Sequence, residues 1–192
     1  MVEDIFDLFN ELSIANAIVC GHSMGGKVAM NFALSYPEKV NKLIVADMGV
    51  KEYPLHNDDI LEAMLSIDFI TISSRNEVEA KLDEQLKNLR IRQWLMKNII
   101  RNEDSFAWKP DMHSIKTNFK NIFCGIPDEK TFKKPALFLR GEFSDYVKDS
   151  DLQNIQRIFP NASFITVPKA THWLHADNPG FFVEKVLEFS ND

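Results

Sequence analysis

A serine enclosed by glycines, Gly21-His22-Ser23-Met24-Gly25, is the stretch of this sequence best suited to chemistry. A serine hydroxyl is a weak nucleophile at neutral pH. It needs a base within hydrogen-bond reach, a group that orients the base, and donors for the oxyanion it creates. The pattern Gly-x-Ser-x-Gly meets the geometric need when a strand runs into it and a helix runs out, because small neighbours permit a sharp turn that presents the hydroxyl. Here an apolar run at 17–20 precedes the serine and a helix-forming run at 28–35 follows it. The backbone N–H of Met24, at the helix start, would then point at the developing oxyanion. The alternative is a polar residue in a glycine-rich turn.

A nucleophile requires partners elsewhere in the chain. Among the five histidines, His22 adjoins the serine and its side chain is expected to face away from the site. His56 and His113 fall in a charged middle segment and read as surface residues. His172 and His175 follow the last apolar run, 164–167, which gives the order serine, carboxylate, histidine known for strand–turn–helix elbows. Two carboxylates stand at strand ends: Asp47 directly after 43–46, and Asp145 in the loop after 136–139. Either type of placement suits an acceptor for the imidazole.

The elements that must position these residues follow from periodicity. Ile5, Leu8, Phe9 and Leu12 mark one face of an opening helix. Buried strands are expected at 17–20 and 43–46, with a helix over 28–35 between them and Tyr36-Pro37 just beyond its end. The rhythm returns at 136–139 (strand), 152–159 (helix), 164–167 (strand) and 179–189 (helix opened by Pro179). Strand–helix alternation implies a parallel sheet with crossover helices. Residues 52–133 break the rhythm; they are charged, helical and poor in strand signals. Ser74 with Glu77 reads as a capping box, and 91–100 as a further helix. The expected organisation is therefore a core of 1–51 and 134–192 with a helical lid insertion of 52–133.

Bulk properties narrow the function classes. The chain has 192 residues, 45% of them hydrophobic, enough for one domain with a real core. A net charge of −6 argues against nucleic acid or an anionic membrane surface as partner. The apolar runs are too short to span a bilayer, and the N-terminus is unlike a signal peptide. Cys20 and Cys124 show no metal-like or disulfide-like spacing, so a reducing, cytoplasmic setting is expected. No metal or organic cofactor is implied.

GHSMGGKVAM resembles the nucleophile elbow of the α/β-hydrolase fold, a mostly parallel sheet flanked by helices. THWLHADNPGFF resembles the histidine loop and last helix of the same fold. With the DMGV and RGEFSDYV segments, the chain is similar to a branch of small acyl-ester hydrolases found in bacteria, with mitochondrial relatives. The resemblance implies His172 as base through its HWxHAD pattern, with His175 in a supporting role. The usual acid position, three residues after Gly141, holds Ser144, and Asp145 comes one residue later. Similar esterases carry their acid after the second of these strands and keep a serine at the position of Ser144. The resemblance therefore favours Asp47 as acid, with Asp145 as the alternative and Ser144 as a fourth member.

The resemblance also implies strands ahead of the elbow and a His-Gly-type loop giving a second oxyanion donor. Met1 aligns with an internal position of such proteins, so an N-terminally truncated chain is expected. Its nucleophile strand would be an exposed edge, inviting self-association. One donor, from Met24, would remain, at a cost of about 10² to 10³ in rate. The expected function is a serine esterase or thioesterase acting on small acyl substrates through an acyl-enzyme. Rivals are carbon–carbon hydrolysis or perhydrolysis on the same scaffold, or a non-catalytic remnant that binds through its sheet edge. In the insertion, Arg90, Arg92, Lys97 and Arg101 read as a solvated face, or as a landing site for a coenzyme A phosphate. Trp94, Leu95, Met96, Phe106 and Trp108 read as the insertion's packing core, or as an acyl pocket.

Overall fold

The computed structural model describes residues 1–54, 58–102 and 105–192, so His56 lies outside the described residues. The chain forms two compact units, 1–53 with 124–192, and 54–123.

The first unit is built on a four-stranded parallel sheet in the order β1-β2-β5-β6, with β1 Ala17–His22, β2 Val40–Ala46, β5 Ala136–Gly141 and β6 Ala162–Val167. Over 43–46 and 136–139 the central strands β2 and β5 are continuous buried apolar runs, because both their faces are covered. Helix α1 (Val2–Glu11) precedes β1, and α2 (Met24–Ser35) returns the chain from β1 to β2 and packs on both. Ile44, Ala46, Leu137, Leu139 and Val167 form a core with Leu174 of the short α8 (Leu174–Asp177) and with Phe181, Phe182, Val186 and Phe189 of α9 (Pro179–Asn191). Helix α7 (Leu152–Ile158) links β5 to β6 and buries Ile155 and Ile158.

One expectation for this unit is corrected. The first strand is not buried: among the described residues β1 pairs with β2 only, and alternate residues along it face outward, Ile18 at 39% exposure. Helix α1 forms as expected and buries Phe9, with Leu8 and Leu12 about half exposed, at 48% and 59%.

Lys27, one turn into α2, is only 5% exposed. Its ammonium donates to the carbonyls of Lys51 (2.6 Å), Cys124 (2.7 Å) and, at longer range, Val50 (3.5 Å). The Ile126 N–H also donates to Val50 O at 2.7 Å. One buried cation thus ties the segment leaving the first unit to the segment re-entering it, satisfying carbonyls that would otherwise be costly to bury. Burial brings the Lys27 pKa down to about 8, leaving the ammonium in place at pH 7.

The second unit holds α3 (Asp58–Leu65), α4 (Arg75–Gln85), α5 (Leu89–Met96), a hairpin of β3 (Ile99–Asn102) with β4 (Ser105–Trp108), and α6 (Met112–Phe123). Ser74 accepts from the Glu77 N–H, and the Glu77 carboxylate accepts from the Ser73 N–H, a capping box displaced by one residue at one of its bonds. The single helix expected at 91–100 is corrected: it ends at Met96 and Ile99 enters the hairpin. Leu95 is fully buried in this unit's own core, and Trp108 packs on that core and donates to Met64 O at 2.9 Å. Arg92 pairs with Asp83 at 2.8 Å and donates to Leu86 O, and the Arg101 guanidinium lies 6.0 Å from the Phe106 ring. Packing within the unit accounts for these residues, and His113 is exposed on α6.

Candidate active site

Strand β1 delivers Ser23 at its C-terminal end, and α2 begins at the next residue. Ser23 has φ +54°, a left-handed conformation that a non-glycine residue adopts only when its surroundings hold it there. Those surroundings are visible: the Ser23 N–H extends the sheet ladder to Ala46 O at 3.0 Å, while Ser23 O accepts from the Gly26 N–H at 2.8 Å to start the helix. A Cβ on Gly21 would lie 2.2 Å from Gly25 O, so the strand and helix can approach this closely only with glycine there. At Gly25, by contrast, a Cβ would meet open space. The Met24 N–H belongs to the first turn of α2, where no helical carbonyl can accept it.

The parallel register brings the end of β2 beside the end of β1 and of β5. Asp47 follows β2 directly, its N–H donating to Leu139 O at 2.7 Å, and it too has a positive φ, +50°. Its carboxylate is fully buried. Oδ1 accepts from the Gly141 N–H at 3.1 Å, and Oδ2 accepts from Ser144 Oγ and from His172 Nδ1, the latter at 2.8 Å. A carboxylate only accepts here, so Nδ1 carries the proton and Nε2 presents a lone pair. Ser23 Oγ donates to that Nε2 at 2.9 Å.

The His172 loop follows β6. Thr171 is anchored by its N–H and its hydroxyl to Asp177 Oδ2, at 2.8 and 2.6 Å. A Cβ on Gly141 would lie 2.3 Å from Thr171 O, so this glycine lets the loop close over the end of β5. Ser23, His172, Asp47 and Ser144, all singled out in the sequence, are thus hydrogen-bonded in one chain. Asp145 stands apart: its side chain is 91% exposed and pairs with Lys148 at 3.0 Å.

His22 does not face away as expected. Its Nε2–H donates to His172 O at 2.8 Å, and its ring lies 4.7 Å from those of His172 and His175. Strand alternation alone would turn it outward, but the end of β1 meets the His172 loop. Desolvation by burial lowers the His22 pKa from 6.5 to about 4, and burial also lowers that of His175. Since the folded value lies below the unfolded one, the unfolded chain binds more protons between about pH 6.5 and 4. His22 therefore contributes stability that is present above about pH 6.5 and lost as pH falls toward 4. Urea midpoints at pH 7 and pH 4.5 should show a smaller acid-induced drop in His22→Gln than in the parent chain; equal drops would contradict this burial effect.

Three residues bearing on the site carried no usable sequence signal. Tyr146 stacks on the His172 ring, Tyr53 accepts from the Gly49 N–H at 2.8 Å and donates to Tyr146 O at 2.7 Å, and Lys27 braces α2. Each makes its contact across a long stretch of chain. Among the described residues, no group of three or more His, Cys, Asp or Glu side chains is arranged to hold a metal ion.

A buried carboxylate, an imidazole and a hydroxyl in line can pass a proton from serine to histidine while the carboxylate holds the ring. Comparison with known proteins places the chain in a family. The chain is 34% identical over 196 residues to the sn-1-specific diacylglycerol lipase ABHD11 of Danio rerio, covering 98% of this chain and 62% of the relative. It is 25% identical to Esterase YbfF of Escherichia coli, over 100% of this chain and 74% of the relative. The solved structure of a marine microorganism esterase superposes with a TM-score of 0.92 at 40% identity, covering 98% of this chain and 75% of that one. The chain spans about three fifths of the length of the first curated relatives. The alpha/beta hydrolase family model matches residues 2–185, a span that contains the sheet, the elbow and the histidine loop, and the chain belongs to that family.

Proposed function

We propose that this chain carries the catalytic machinery of a serine hydrolase that cleaves carboxylic esters or thioesters of small acyl substrates. The observation that carries the reading is the pair of hydrogen bonds on one imidazole, 2.9 Å to Ser23 Oγ and 2.8 Å to Asp47 Oδ2. Ser23 Oγ attacks the acyl carbonyl as His172 Nε2 takes its proton. The oxyanion forms against the Met24 N–H. The tetrahedral centre collapses, and the imidazolium gives the proton to the leaving alcohol or thiol. Water, deprotonated by the same Nε2, then cleaves the acyl-serine. Asp47 holds Nδ1–H throughout and offsets the charge on the ring. Ser144 fills the remaining acceptor site of Oδ2, leaving that oxygen no room to turn.

The esterase and lipase names of the relatives support ester substrates. No helix among the described residues is long and apolar enough to cross a membrane. Hydrolysis of p-nitrophenyl butyrate by the chain, measured beside its Ser23→Ala variant, tests the reading. Turnover confined to the parent supports it, and equal rates in both contradict it.

A second reading, self-association through β1, is favoured by that strand's outward edge. Ile18 and Met24 are exposed at 39% and 41%, and an apolar groove of about 450 Å3 runs between Ile5 of α1, Val19 and Val28. An unpaired edge with an apolar flank is a template for another strand. Light scattering on a sizing column should then give twice the 22.1 kDa of one chain, reverting to one chain in Ile18→Lys. A single-chain mass at every concentration would exclude it.

A further inference from the structure

We propose that Tyr146 is a positioning residue of the site, whose ring face orients the His172 imidazole and stabilises it when it becomes imidazolium. This rests on the reading of His172 as the base. The two rings are 3.9 Å apart between centroids and 16° from parallel, a stacked pair. The other rings near His172 are not parallel to it: His22 is tilted by 38° and Trp173 by 72°.

The tyrosine is itself held on both sides. Its N–H donates to Ser144 Oγ at 3.3 Å, the same hydroxyl that donates to Asp47. Its carbonyl accepts from the Tyr53 hydroxyl at 2.7 Å, and that hydroxyl accepts from the Gly49 N–H, two residues beyond Asp47. Tyr53 is 8% exposed, and its ring lies 5.3 Å from that of Tyr146. The peptide unit carrying the stacked ring is therefore fastened to the loop that carries the carboxylate. Ring, imidazole and carboxylate keep one geometry.

A π face attracts a cation more than a neutral ring. His172 is neutral before attack and cationic while it holds the serine proton, so the stack favours the later state and counts toward rate rather than toward substrate binding. The other titratable groups facing His172 are Asp47 at Nδ1, His22 from β1 and His175 from α8; Tyr53 lies behind Asp47.

The experiment compares the parent chain with Tyr146→Phe and Tyr146→Leu, following the His172 ring protons by NMR and the steady-state kinetics of ester hydrolysis. Phenylalanine keeps the π face and should stay within about twofold of the parent. Leucine should lower kcat by about tenfold with KM little changed, and the upfield ring-current shift of the His172 ring protons should be lost. A folded leucine variant with the parent's kcat would overturn the proposal. Should leucine prevent folding, the parent chain decides alone: a stacked His172 ring proton is shifted upfield, and an unshifted one overturns the proposal. If the parent lacks Ser23-dependent hydrolysis, the proposed function fails, and the ring-current shift still decides whether Tyr146 orients His172.

Discussion

Ser23→Ala and His172→Ala are each expected to lower kcat for ester hydrolysis by on the order of 10⁶, the loss typical when a triad nucleophile or base is removed. The two losses should not add. Serine without its base cannot shed its proton, and the base without serine has nothing to activate, so the double variant should be no slower than either single one. Ser23 Oγ and His172 Nε2 stand 2.9 Å apart, close enough to act as one unit. Steady-state rates for both single variants and the double variant check this. A double variant markedly slower than the singles would mean that the two residues act independently.

The second large effect separates two carboxylates that both stand at strand ends in the sequence. Asp47→Asn should lower kcat by on the order of 10⁴, whereas Asp145→Asn should change it less than about twofold. Asp47 is fully buried and accepts from Gly141, Ser144 and His172. An asparagine there can offer an N–H toward His172 Nδ1, which favours the tautomer that blocks Nε2 as a base. Asp145 is 91% exposed and its pairing with Lys148 is a surface interaction worth about 0 to 1 kcal/mol. Asp47 also helps to hold β5 and the Ser144 loop, so thermal melts of both variants should accompany the rates. A folded Asp47→Asn chain with near-parent kcat would remove Asp47 from the account.

Much of the site was legible because its signals are local. The elbow needs a strand, glycines and a helix within a few residues, and Gly21 is required by a contact only four residues away. The Ser23–His172 pairing was readable through the order of motifs, and parallel strands then bring their C-terminal ends together. Choosing Asp47 over Asp145 took the resemblance as well, since Asp145 is also a loop carboxylate after a strand.

What was not legible depends on contacts between distant segments. His22 turns toward the His172 loop, 150 residues on, and no periodicity reports that. Tyr146 and Tyr53 look like loop and linker aromatics until Tyr53 O–H reaches the Tyr146 carbonyl, 93 residues away. Lys27 is a helix lysine like any other in the sequence, yet carbonyls from two other segments draw it inside. The pairing of β3 with β4 was hidden because Ile99 and Ile100 continue an apolar spacing that a helix would also satisfy. Helix α1 looked fully amphipathic, but an apolar stripe is buried only where something packs on it, and here that is Phe9 alone.

Activation of Ser23 by His172 is tested most directly by reaction with a fluorophosphonate ester, followed by intact mass and peptide mapping. One adduct per chain is expected, on Ser23, absent from Ser23→Ala and greatly slowed in His172→Ala. No adduct, or an adduct that persists when Ser23 is replaced, would contradict a nucleophilic Ser23.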